Sequence, residues 1–227
     1  GGKIGEPGVI NHNLLETSVN ELSALAAGPS GIFVSNSRAL MVGGIDSVDA
    51  NRVQGDGTTI IEGDANPLSG VRTVDNAGNI ALITKHGDLT VASRTKADGN
   101  GNILLQSVSG TADLRSKVRG ERGSISVIGY VDVVQNPAGD IIAGGAGTVH
   151  VEAETGSITM MDGGSASTSG GNIRYVAEQD VNLADISARG GNLSLTAVAG
   201  SILDGGDSEI EVSADELRMS AGADIGA

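Results

Sequence analysis

The chain has 227 residues, with 28 Asp and Glu against 14 Lys and Arg for a net charge of −14, 36 Gly, no Cys or Trp, 1% aromatic and 39% hydrophobic residues. That mix excludes a disordered chain, a disulfide framework and thiolate metal sites, and it points to a fold packed with small aliphatic side chains. The acidic balance repels phosphate backbones and anionic lipid, and no run approaches the roughly 20 apolar residues of a bilayer span, so neither a nucleic-acid partner nor membrane insertion is expected.

The first residues, Gly1-Gly2-Lys3, lack an initiator Met, as expected of a processed chain or a piece of a longer one. Residues 1–30 read as an irregular entry segment. Asn13-Leu14-Leu15-Glu16 has the form of a capping box, and Leu15, Val19, Leu22 and Leu25 could line one helical face. An irregular coil over residues 14 to 27 is nonetheless expected, because Gly31-Ile32-Phe33-Val34 and Ala39-Leu40-Met41-Val42 already carry strand phrases that recur later.

From Gly78 onward one phrase repeats: a Gly, a small polar residue, then an aliphatic residue that opens an alternating run. It occurs at Gly78-Asn79-Ile80, Gly101-Asn102-Ile103, Gly123-Ser124-Ile125, Gly147-Thr148-Val149, Gly171-Asn172-Ile173 and Gly191-Asn192-Leu193. A second phrase runs between these: Asp88-Leu89, Asp113-Leu114, Asp132-Val133, Ser157-Ile158, Asn182-Leu183 and Ser201-Ile202. Both recur with a mean period of about 22 to 23 residues. Period-two alternation, as in Ile80, Leu82 and Leu193, Leu195, marks half-buried strands, and Gly- and Asn/Asp-rich stretches such as residues 97–101 and 163–167 mark turns. Each strand is too short to bury its apolar side alone, so the copies must stack.

The expected fold is all-β: a parallel right-handed β-helix (β-solenoid) of about 22 residues per coil and roughly ten coils, forming a single domain over residues 1–227. Its interior would carry a ladder of Ile80, Ile103, Ile125, Val149, Ile173 and Leu193. Asn79, Asn102, Asn172 and Asn192 would stack at one corner and exchange side-chain amide hydrogen bonds. From the match of Gly1-Gly2-Lys3-Ile4-Gly5 to Gly222-Ala223-Asp224-Ile225-Gly226, the chain is expected to be one period of a tandem or head-to-tail array, with Ile4, Gly5, Ile225 and Gly226 as end contacts.

The phrases Gly191-Asn192-Leu193-Ser194-Leu195-Thr196-Ala197, Gly200-Ser201-Ile202 and the run from Leu217 to Gly226 resemble the filamentous-haemagglutinin-like β-helices of bacterial two-partner-secretion adhesins and the tandem modules of giant bacterial surface proteins. That resemblance, over roughly residues 30 to 227, implies a secreted, cell-surface, rod-like role without catalytic residues.

Chemistry is sparse in the sequence. Asp88, Asp113 and Asp132 belong to the repeat phrase rather than to an acidic active site, and Phe33, Tyr130 and Tyr175 are too dispersed for a sugar platform. His12, His86 and His150 show no metal-ligand spacing. Asp98-Gly99-Asn100-Gly101-Asn102 begins like a calcium loop, but Ser109 occupies the place of the bidentate Glu. No regular Thr-x-Thr ladder supports ice binding. The expectation is therefore no enzyme, no cofactor and no metal, but a structural module of an extracellular filament, stalk or giant surface protein whose partners are copies of itself or adjacent modules. The alternatives are an adhesin segment contacting host or neighbour-cell glycans or proteins through insertions such as the loop at Pro137-Ala138-Gly139-Asp140, and, more remotely, a polysaccharide-degrading β-helix enzyme.

Overall fold

Alternating aliphatic residues flanked by tight turns build a stack of parallel strands in the computed structural model, which describes residues 14–64, 66–75, 78–205 and 210–226. The fold is a parallel β-solenoid of about nine turns with about 23 residues per turn and no helix among the described residues. Three strand faces recur in fixed order around each turn. Face one has nine strands, running from Leu15–Thr17 through Asn79–Thr84 and Ile125–Gly129 to Leu217–Ala221. Face two has eight, from Glu21–Leu22 to Ile202–Asp204, and face three eight, from Ala24–Ala27 to Val212–Ala214.

Register follows the aliphatic ladder. Ile80, Ile103, Ile125, Val149, Ile173 and Leu193 pair in sequence on face one. Each is at most 2% exposed. Burying such a side chain contributes about 1.5–3 kcal/mol, and because every turn repeats it, the interior is one continuous apolar column. Ile32 extends the ladder at one end and Leu217 at the other. Of the aromatics, Tyr175 lies in the interior, Phe33 is buried but points away from it, and Tyr130 is exposed.

Three sequence expectations change. Residues 14 to 27 are neither helix nor irregular coil: Leu15–Thr17, Glu21–Leu22 and Ala24–Ala27 supply one strand to each face. The inward residues of the third strand are Ala24 and Ala26, which pack opposite Val71 and Thr73, while Leu25 points outward. Alanine carries little hydropathic signal, so the more apolar Leu25 misleads the periodicity. Of the capping box, Asn13 lies outside the described residues, and Glu16 forms a 3.1 Å ion pair with Lys85.

The second phrase is also out of register in two turns. Leu89 pairs with Ala112 rather than Leu114, so Thr111 stacks on Asp88, while Asp113 stacks on Thr90. Likewise Ile158 pairs with Val181, which puts Asp180, not Asn182, over Ser157. A slip of two residues leaves every side chain on its own face, so inside-outside alternation cannot detect it.

The insertion lies elsewhere than expected. Pro137–Asp140 is a tight turn in which Gly139 N–H donates to Asn136 O at 2.8 Å. Instead the chain leaves the stack between Val42 and Val71. Gly44–Ile45 pairs antiparallel with Leu68–Ser69, and Asp49–Val53 with Thr59–Gly63 as a hairpin exposed on both sides.

Candidate functional site

Turn corners and free edges carry what chemistry the molecule has. At the corner before face one, Asn79 Oδ1 accepts the backbone N–H of Asn102 at 2.9 Å, Asn102 Oδ1 that of Ser124 at 2.8 Å, and Ser124 Oγ that of Thr148 at 3.1 Å. Farther along, Asn172 Oδ1 accepts from Asn192 N–H at 2.9 Å, and Asn192 Nδ2 donates to Glu216 at 2.8 Å. Asn79, Asn102 and Asn172 therefore cap the next turn's backbone, and Asn192 bonds a carboxylate, rather than the four bonding amide to amide. Each capped N–H precedes the strand proper and has no ladder partner of its own, so a short side-chain acceptor one turn below satisfies it.

The corner before face two holds a second ladder with an alternation. Its positions, in stacking order, are Asp88, Thr111, Asp132, Ser157, Asp180, Ser201 and Asp224. Asp88, Asp132 and Asp180 each use Oδ1 to accept the N–H of the residue above, Thr111, Ser157 and Ser201, at 2.8 Å. Ser157 and Ser201 return the function with their hydroxyls, each 3.2 Å from the N–H of the next aspartate. Strands stack about 4.8 Å apart, so alternation keeps carboxylates about 9.6 Å from one another. Glycine fits the same scheme: Gly110, Gly156 and Gly200 stand where a Cβ would collide with the Oδ1 of Asp88, Asp132 and Asp180.

The stack is open at its C-terminal end. Leu217 and Met219 occupy inward ladder positions above Leu193 and Leu195, yet are 44% and 41% exposed. Ile225 forms a single parallel bridge with Ile202 and is 50% exposed. Gly226 follows at φ +73°. Ile4 and Gly5, the other expected end contacts, lie outside the described residues.

Among the described residues no three His, Asp or Glu side chains lie close enough to hold a metal ion. Asp98 of the calcium-like loop pairs with Lys96 at 3.2 Å, and Gly99 N–H donates to Glu121 at 3.2 Å. Glu121 also meets Lys96 at 2.7 Å. The Lys96 ammonium, then the Gly99 N–H, hold the Glu121 carboxyl down at about 2, and Glu121 raises Lys96 in turn. His150 pairs with Glu152 at 2.9 Å, His86 is exposed, and His12 lies outside the described residues.

The exposed hairpin is the feature the sequence reading missed. Val48, Val53 and Ile61 are 63%, 67% and 73% exposed, and Arg52 pairs with Glu62 across the strands at 2.7 Å. The signal available was the gap between Val42 and Val71, longer than a turn of the repeat. No protein-family model, curated protein or solved structure matches the chain.

Proposed function

We propose that the chain is a structural module of a bacterial extracellular filament, stalk or giant surface protein, and that such modules stack end to end. The observation that carries this reading is the open end: Leu217, Met219 and Ile225 continue the interior columns yet are exposed, and Leu217–Ala221 is an edge strand with one pairing neighbour among the described residues. An exposed apolar cross-section ringed by strand edge is a surface for another coil. A head-to-tail contact of this kind does not close, so it propagates into a rod. The adjoining coil belongs to a second copy or to an adjacent module of the same polypeptide. Placement outside a bacterial cell rests on the resemblance of the repeat phrases, and the reading assigns the chain no catalysis and no cofactor.

Electron microscopy and sedimentation velocity test it. Wild type should form rods longer than one module, and Met219→Asp, which puts a charge on the end face, should return it to single modules with an unchanged far-UV spectrum. Wild type that stays monomeric at high concentration overturns end-to-end assembly. A second reading, an adhesin segment contacting a glycan or protein, is favoured by the hairpin at residues 49–63, whose bare Val53 and Ile61 offer a lateral contact. Deleting the hairpin tip should then abolish cell adhesion without altering the rods.

A further inference from the structure

Face three carries a column of cations on this acidic molecule. Arg72, Lys96 and Arg119 are in register on three successive strands and point outward. Like charges so stacked destabilise a sheet unless something neutralises them. Lys96 is neutralised by Glu121 and Asp98. Arg72 and Arg119 are exposed and make no ion pair or hydrogen bond with any described residue, and the same holds for Arg94 beside them. Two unpaired guanidinium groups therefore stand two turns apart, about 9.6 Å along the axis.

The corner before face two carries the complement. Asp88, Asp132, Asp180 and Asp224 also recur every second turn, and the first three leave Oδ2 without a partner among the described residues after Oδ1 has capped the backbone. Both spacings are set by the same backbone rise, so two solenoids laid side by side match without adjustment. We infer that the Arg72–Arg119 column binds the aspartate corner of a second copy, so that modules associate laterally as well as end to end. Arginine suits this role because its guanidinium stays charged and forms directed hydrogen bonds to carboxylate. A single pair at the surface is weak, so Arg72 and Arg119 act together, each on its own aspartate, and both contacts are present within one module.

The test uses the Met219→Asp background, so that end-to-end stacking, which rests on a different surface, neither produces nor masks the signal. Sedimentation velocity at low salt should show self-association that 0.5 M NaCl suppresses. Adding Arg72→Glu and Arg119→Glu, which remove no internal contact, should weaken that association at least tenfold. With Arg72→Lys and Arg119→Lys instead, carbodiimide coupling of an isotopically mixed sample should join positions 72 or 119 of one copy to Asp88, Asp132 or Asp180 of another. Absence of salt-sensitive association, its persistence in the double Glu variant, or cross-links only to other carboxylates overturns the proposal. Arg-dependent binding to heparin without self-association would also overturn it, assigning the column to a polyanion.

Discussion

Tyr175 and Gln135, 40 residues apart in the chain, meet inside the solenoid, where the phenol O–H donates to Gln135 Oε1 at 3.2 Å. Gln135 Nε2 in turn donates to the carbonyl oxygen of Ser165 at 2.5 Å. Both side chains are fully buried, so one amide ties together face one, face two and face three in a mainly apolar interior. Burial drives the phenol well above its ordinary ionisation range. Tyr175→Phe keeps the ring and strands one acceptor, which should cost about 1–2 kcal/mol. Tyr175→Ala also opens a cavity, at about 3–5 kcal/mol. Urea unfolding measures both; equal costs would mean that ring packing contributes nothing.

Inside and outside are separable by two substitutions. Ile125 is fully buried, so Ile125→Asp places an unpaired carboxylate in the aliphatic column and should cost about 3 kcal/mol or more, less at pH values low enough to protonate it. Asp98→Ala removes one surface ion pair and should cost less than about 1 kcal/mol. Comparable losses from the two in thermal unfolding would contradict the assigned orientation of the strands.

Glu121 gives a pH dependence with a definite sign. Its carboxyl is held at about 2 in the folded state against an ordinary value of 4.5, chiefly by Lys96. Its contribution is complete above pH 4.5 and disappears as the pH falls toward 2. Lys96, raised in the folded state, contributes fully below its ordinary 10.5 and loses that contribution as the pH rises through its elevated value. Both side chains are about a third exposed, so the pair is worth less than about 1 kcal/mol. Glu121→Gln should flatten stability between pH 4.5 and 2; an acid limb identical to wild type would show that the pair does not contribute.

The period, the strand alternation and the Ile80-to-Leu193 ladder were legible because they depend on apolar side chains recurring at fixed separation. The first turn was not, because its inward residues on face three are Ala24 and Ala26. Register at Asp113 and Asn182 was hidden for a different reason: moving a strand by two residues preserves its face, and only the backbone partner distinguishes Thr111 from Asp113. The two-turn alternation was lost with it, since pooling Asp113 with Asp88 obscures the Asp, Thr, Asp, Ser order. The cation column needed the register as well, because Arg72, Lys96 and Arg119 lie 24 and 23 residues apart in sequence and become neighbours only through pairing.

That alternation makes the sharpest prediction about the corner. Ser157→Asp would put three carboxylates on successive rungs, at residues 132, 157 and 180, each about 4.8 Å from the next. Repulsion across two such contacts in a solvated setting should cost about 1–2 kcal/mol at low salt. A steric part adds to it, since the turn above Ser157 carries Gln179 where the turns above Asp88, Asp132 and Asp180 carry Gly110, Gly156 and Gly200. Ser157→Asn has nearly the same shape without the charge, so it isolates the steric cost. At pH 7 the Asp variant should melt below the Asn variant, and the gap should narrow in 1 M NaCl and again near pH 3, where protonation removes the repulsion. Equal melting temperatures at low salt would mean that the order of Asp and Ser at this corner reflects side-chain volume alone, with charge separation playing no part.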